Sequence, residues 1–133
     1  MEFFKIVDVQ TNEEAIRKNL TLTNLEKMST QLISLGDPDD RKSAIGSLWG
    51  EFTLSRDEIR GGLRFALIEC PNALAWTVTT GFPPAPENIV LHLTINRNTQ
   101  KEELIEEINE FLEDLKQSLL KILPHSDEQI ISS

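Results

Sequence analysis

Apolar residues recur at every second position in separate runs between Ala44 and Asn96, and from Thr99 onward they recur every three to four positions. A period of two belongs to a half-buried strand and a period near 3.6 to an amphipathic helix, so the switch at Thr99 separates a β-rich stretch from one long helix. Four strands are predicted. In the first, Leu48, Phe52 and Leu54 stand against Trp49, Glu51 and Thr53; in the second, Leu63, Phe65 and Leu67 alternate with Arg64, Ala66 and Ile68. Leu74, Trp76 and Val78 mark the third, and Ile89, Leu91, Leu93 and Ile95 the fourth. The first three follow one another through short connections, which parallel neighbours cannot use, so an antiparallel meander is expected. Ser55 to Glu58 reads as the first hairpin or as one helical turn, and Pro71-Asn72 as the second hairpin. Gly81-Phe82-Pro83-Pro84-Ala85-Pro86 is a proline-stiffened loop before the last strand.

The helical part opens with Thr99 and Glu102 at capping-box spacing, and Leu104, Ile108, Phe111, Leu115, Leu119 and Ile122 form its apolar stripe until Pro124 stops it. At the other end, Phe3 to Val9 is short, apolar and β-prone, and Thr11 with Glu14 repeats the capping-box spacing. Ala15, Ile16 and Leu20 then lie on one helical face, whereas Leu25, Met28, Leu32 and Leu35 lie on a face rotated by more than about 90°. One straight helix cannot bury both sets, so a break near Leu20 to Thr23 is expected. Gly36, followed by Asp37-Pro38, is the expected end of the second helix. The fold class is therefore α+β: a four- or five-stranded, mostly antiparallel sheet, with N-terminal helices and a long C-terminal helix packed on it. Residues 1–124 are read as a single domain and 125–133 as a flexible tail. Ala66, Ile68, Ala73 and Ala75 point away from the main apolar sets, and that second face calls for a cover from the N-terminal helices or a second subunit.

Composition narrows the partners. With 13 basic against 22 acidic residues in 133, the formal charge of −9 repels phosphate backbones and anionic lipid, which argues against nucleic acid and membrane surfaces. The lone Cys70 has no partner for a disulfide, so a reducing compartment is expected. The opening Met-Glu-Phe-Phe-Lys-Ile-Val-Asp-Val is too acidic and too short in its apolar run for a signal peptide or a membrane span, and a cytoplasmic location is the reading that follows.

Catalysis by acid-base or nucleophilic chemistry needs a base, an acid and an orienting group. Only His92 and His125 are present, and no nucleophile elbow, phosphate-binding glycine loop or zinc-binding helix pattern occurs. The acids Glu103, Glu106, Glu107, Glu110, Glu113 and Asp114 lie off the apolar stripe, as on a solvated helix face. No enzyme, no metal and no cofactor are expected. Arg60 and Arg64 flank Gly61-Gly62 and could grip an anion or pair with Glu51 across a strand. Pro83 to Pro86 has the Pro-x-x-Pro spacing read by aromatic grooves, and Phe82 beside it is either a presented anchor or a core residue. Cys70-Pro71 resembles a short haem-regulatory pair, and His92 on the even face of its strand is either a half-exposed strand residue or a ligand. Trp49 and Trp76 read as packing residues.

The order of a helix, a meander, the loop with Phe82-Pro83 and Pro86, a last strand and a long helix resembles RWD and ubiquitin-conjugating-like domains over about Ala44 to Leu123. The resemblance implies a non-catalytic interaction domain, since no cysteine follows the fourth strand. The expected function is thus a binding or adaptor domain, with a protein partner or self-association. The alternative is a carrier or sensor of a small apolar ligand or haem, with Cys70 or His92 as the ligating residue.

Overall fold

The computed structural model describes residues 1–96 and 101–123. Strand β1 (Glu2–Val7) leads into helix α1 (Glu13–Asn19), a 3-10 turn (Leu22–Asn24) and the single-turn helix α2 (Leu25–Met28). Strands β2 (Ile33–Ser34), β3 (Lys42–Ser47), β4 (Gly50–Ile59), β5 (Gly62–Leu67), β6 (Ala75–Thr80) and β7 (Ile89–Thr94) follow, and then helix α3 (Glu102–Ile122). The strands form one seven-stranded sheet in the order β1-β7-β6-β5-β4-β3-β2. Every pairing is antiparallel.

The register places Phe65 beside Trp76, and Trp76 beside Leu93, so these residues share one face with Leu54, Val78, Leu91 and Ile89. That inner face is buried beneath α3, whose Ile108, Phe111, Leu112, Leu115 and Leu119 complete one continuous apolar cluster with Ile16, Leu20, Leu25 and Met28. Among the described residues, helices thus cover one face of the sheet only. On the outer face, Arg64, Thr77, His92 and Phe4 follow one another across β5, β6, β7 and β1. Phe4 stands 59% exposed there.

Two arginines bind the N-terminal helix to this frame. Arg56, on the inner side of β4, donates from Nε to the Leu20 carbonyl at 2.8 Å and from Nη2 to the Arg17 carbonyl at 2.7 Å. Carbonyls at a helix C-terminus lack intrahelical donors and carry partial negative charge, so a guanidinium there satisfies both needs. Arg17 in turn donates to the Ile59 carbonyl at 2.9 Å and pairs with Glu13. The edge strand β1 directs Lys5 inward to Glu113 of α3 at 3.2 Å. An inward charge of this kind discourages another strand from adding to the edge.

Several expectations are corrected. The sheet has seven strands, not four or five. Phe3 to Val9 contributes β1, and the stretch from Ala44 holds a hairpin, because Leu48 and Trp49 form the turn between β3 and β4 rather than part of a strand. Gly50, at φ 122°, supplies the left-handed residue that this turn requires. Ser55 to Glu58 is strand and neither hairpin nor helical turn; its polar side chains are compatible with a strand because Arg56 is consumed by α1 and Asp57 faces outward. The first helix is capped by Asn12, whose Oδ1 accepts from the Ala15 amide at 2.8 Å, not by Thr11. The break after Leu20 is present, but α2 ends at Met28 rather than at Gly36. Ser29 and Thr30 are held there by Asp114 of α3, and Leu35 is exposed beyond β2. The N-terminal helices do not cover the second face, since they share the inner face with α3. Ala66 and Ala75 pair on the outer face, Ile68 is exposed, and Ala73 sits in a turn at φ 49°. The strand β1 beside β7 also departs from the layout on which the RWD resemblance rested, which begins with a helix. The Thr99 cap, Pro124, His125 and the tail 125–133 lie outside the described residues.

Candidate functional site

Four aromatic rings run through the space between α3 and the inner face. Trp49 meets Phe111 edge-on at 5.5 Å between centroids, Phe111 meets Trp76 edge-on at 5.1 Å, and Trp76 stacks on Phe65 at 5.5 Å. Edge-to-face and offset contacts of this spacing suit the ring quadrupoles. Phe65, Trp76 and Phe111 are fully buried, whereas Trp49 lies at the end of the series and is half-buried. Its place is fixed by the hairpin: the Ser47 hydroxyl accepts from the Trp49 amide at 3.2 Å and donates to the Gly50 carbonyl at 2.8 Å.

The other wall of this end comes from the chain after α2. The Asp114 carboxylate accepts from the Ser29 hydroxyl at 2.6 Å, the Thr30 amide at 3.0 Å and the Thr30 hydroxyl at 2.5 Å. The Ser29 hydroxyl oxygen also accepts from the Gln31 amide at 3.0 Å, so α3 positions Gln31 through two hydrogen bonds in series. Next to it Glu113 is held below the ordinary carboxylate range, first by the Gln117 amide and then by Lys5.

Two buried polar atoms at this end have no partner among the described residues: Gln31 Oε1 and Trp49 Nε1. A buried acceptor or donor left unpaired carries its full desolvation cost, so natural proteins keep few of them. A depression of about 290 Å³, lined by Gln31, Ile33, Gly46, Ser47 and Leu48, opens at the same end of the sheet. Its volume is close to the lower limit for small-molecule sites, which are mostly apolar with a few placed polar groups.

The residues singled out from sequence are scattered over the fold. Phe82, Pro83 and Pro86 lie in an exposed loop closed by a 3.1 Å bond from the Gly81 amide to the Pro86 carbonyl. The Phe82 ring leaves that loop to lie over Gly61, where a Cβ would run into it, so Phe82 is neither wholly presented nor in the core. Phe82→Ala is therefore expected to lower stability by about 1–2 kcal/mol, less than the roughly 3–5 kcal/mol of a buried phenylalanine, in a urea titration. Arg60 is exposed at the β4–β5 turn and Arg64 on the outer face. Glu51 cannot pair with either, because it lies opposite Gly46 while Arg64 lies opposite Asp57 and Thr77. Cys70 packs at the rim of the core in the β5–β6 turn. His92 is on the outer face, stacked on Phe4 at 4.3 Å and 3.0 Å from Glu2 Oε1. The two proposed haem ligands are thus on different sides of the sheet. Among the described residues no group of three or more metal-ligating side chains occurs, and no helix is long and apolar enough to cross a membrane.

Sequence reasoning missed Gln31, Arg17 and Arg56 as positioned groups. The Ser47-Leu48-Trp49-Gly50 string carried a usable turn signal in its serine and glycine.

An antiparallel sheet with a long C-terminal helix across one face resembles the START/AHSA1-like fold. No known family profile matches the chain, and no curated protein matches it in sequence. Among solved structures, the protein XoxI from Bacillus cereus is similar at a TM-score of 0.63 with 10% identity, covering 92% of this chain and 94% of that one. A START superfamily protein from Mycobacterium smegmatis is similar at 0.56 with 13% identity, covering 97% and 98%. An AHSA1-like protein from Aeromonas hydrophila is similar at 0.52 with 13% identity, covering 91% and 93%. At these identities the likeness is one of fold.

Proposed function

We propose that this chain is a binding protein without chemistry of its own, and that it takes a small, largely apolar molecule in the depression at the β2–β3 end of the sheet, beside Gln31 and Trp49. The observation that carries this reading is the pair of unpaired polar atoms, an indole donor and an amide acceptor, at the open end of an aromatic series. A ligand with an apolar body and an adjacent hydrogen-bond acceptor and donor answers both atoms while its body meets Ile33 and Leu48. The position of His92 on β7, across the sheet from this end, favours an apolar ligand over a haem.

A medium-chain primary amide has both polar groups and serves as a probe. Titrated into the protein, it is expected to change tryptophan emission saturably. Trp49→Phe, which keeps a ring and loses the donor, should weaken binding about tenfold, in line with the loss of one buried hydrogen bond. Trp76 remains as the reporter in that variant. Absence of a saturable change in the natural sequence overturns the reading.

The second reading is the adaptor, favoured by Phe4 and Ile6, 59% and 43% exposed on the outer side of the edge strand, and by exposed Ile68. It gains if the amide has no effect while light scattering on the same samples shows mass rising with protein concentration.

A further inference from the structure

The outer face of the sheet carries a shallow depression that the ligand reading does not use. It measures about 190 Å³ and is lined by Arg64, Ala75, Trp76, Thr77, His92 and Thr94. The sheet register explains its shape: Arg64, Thr77 and His92 stand side by side on β5, β6 and β7, while Ala66, Ala75 and Thr94 form the next row. Small side chains in that second row leave room beside larger ones in the first.

We propose that this depression binds a small oxyanion, a carboxylate or a phosphate group, between Arg64 and His92 and above Thr77. Arg64 is exposed, and among the described residues its guanidinium forms no ion pair or hydrogen bond. Asp57 stands directly opposite it on β4, but the Asp57 carboxylate is directed to Arg41 at 3.9 Å. The Thr77 and Thr94 hydroxyls make no side-chain hydrogen bond to a described residue, so both are available to donate. His92 forms a fixed wall, because its ring is clamped flat against Phe4 at an interplanar angle of 5° and its Nε2 is engaged by Glu2. A planar fork of donors on one side and hydroxyls below is an arrangement suited to an oxyanion, and a guanidinium binds carboxylate or phosphate in bidentate fashion. Asp57, beside Arg64 in the first row, and Glu2, beside Thr94 in the second, limit the site to a small anion, since an extended polyanion would meet both carboxylates.

The test is a titration of the full chain, followed by amide NMR, with inorganic phosphate in one series and acetate in another at constant ionic strength. Saturable shifts at Thr77, His92 and Thr94 are expected with at least one of the two. Arg64→Gln should weaken that binding roughly tenfold to a hundredfold, as expected for losing a charge-assisted hydrogen bond, and Thr77→Val should weaken it several-fold. Arg60→Gln should leave it unchanged. Tighter phosphate identifies a phosphate group as the ligand, and tighter or equal acetate identifies a carboxylate. No saturable shift with either anion overturns the proposal, and so does equal weakening by Arg60→Gln and Arg64→Gln, which would mark general attraction to basic surface. The apolar-ligand reading is independent, because its amide probe is neutral and its variant, Trp49→Phe, lies in the β3–β4 turn at the far end of the sheet.

Discussion

Phe111→Ala is expected to destabilise the fold by about 3–5 kcal/mol, among the largest effects of any single truncation in this chain. The ring touches Trp49 on one side and Trp76 on the other, and it is 1% exposed, so removal leaves a void bordered by two indoles that cannot both move inward. Trp76 is locked by its register with Phe65 and Leu93, and Trp49 by the Ser47 turn. Urea unfolding should show a lower midpoint with an unchanged slope, the sign of lost stability without a change in the surface exposed. If the void persists, the variant should also admit small apolar probes in place of the lost ring, because dry apolar cavities accept such molecules. A loss below about 1 kcal/mol would show that the helix and hairpin collapse onto the gap.

Gly62→Ala should cost about 3 kcal/mol, near the upper end for an overpacked site, although it adds a single carbon. A Cβ at Gly62 would run into the backbone carbonyl of Val78, and neither partner is a flexible side chain that could swing aside. The collision falls at the pairing of β5 with β6, where Leu63 meets Val78 in the middle of the sheet. The sheet must open there or lose a ladder bond. Gly46→Ala is the control: its Cβ would meet only the Leu35 side chain at 3.7 Å, an ordinary contact, and stability should stay within about 1 kcal/mol of the parent. Equal melting temperatures for the two variants would overturn the argument from backbone approach.

Strands β5, β6 and β7 were legible because each buries one face against helices and leaves the other to solvent, which writes a period of two into the residues. The β3–β4 hairpin was not, since Leu48 and Trp49 are apolar in a turn and imitate a strand; Trp49 is apolar because Phe111 waits for it across the core. Arg56 and Asp57 made β4 read as a loop, yet Arg56 has its partners in α1, far along the chain and invisible to local pattern. The short α2 fails the periodic reading for a related reason. Met28 and Leu32 are both buried, but Asp114 pulls Ser29 and Thr30 out of helical geometry between them. Of the candidate sites, Arg64 was read as one of a pair with Arg60 and His92 by itself, and only the sheet register could place Arg64 and His92 around Thr77. Gln31 carries no sequence signal at all, because what distinguishes it is a missing partner.

The position of β1 beside β7 has a consequence for how the chain reaches this fold. Glu2 pairs with Thr94 and Val7 with Ile89, so the first strand finds its place only after the last strand has been made and has joined β6. At about 5–20 residues per second of synthesis, β1 waits on the order of 4–20 seconds beyond its own emergence. Contacts of such wide sequence separation are also the slow ones, because the intervening loop must lose its freedom before the pairing rewards it. Meanwhile Phe3, Phe4, Ile6 and Val7 are uncovered. Lys5, set among them, is then the one charge that keeps this apolar run from joining the sheet of a neighbouring chain, and only in the finished molecule does it turn to Glu113.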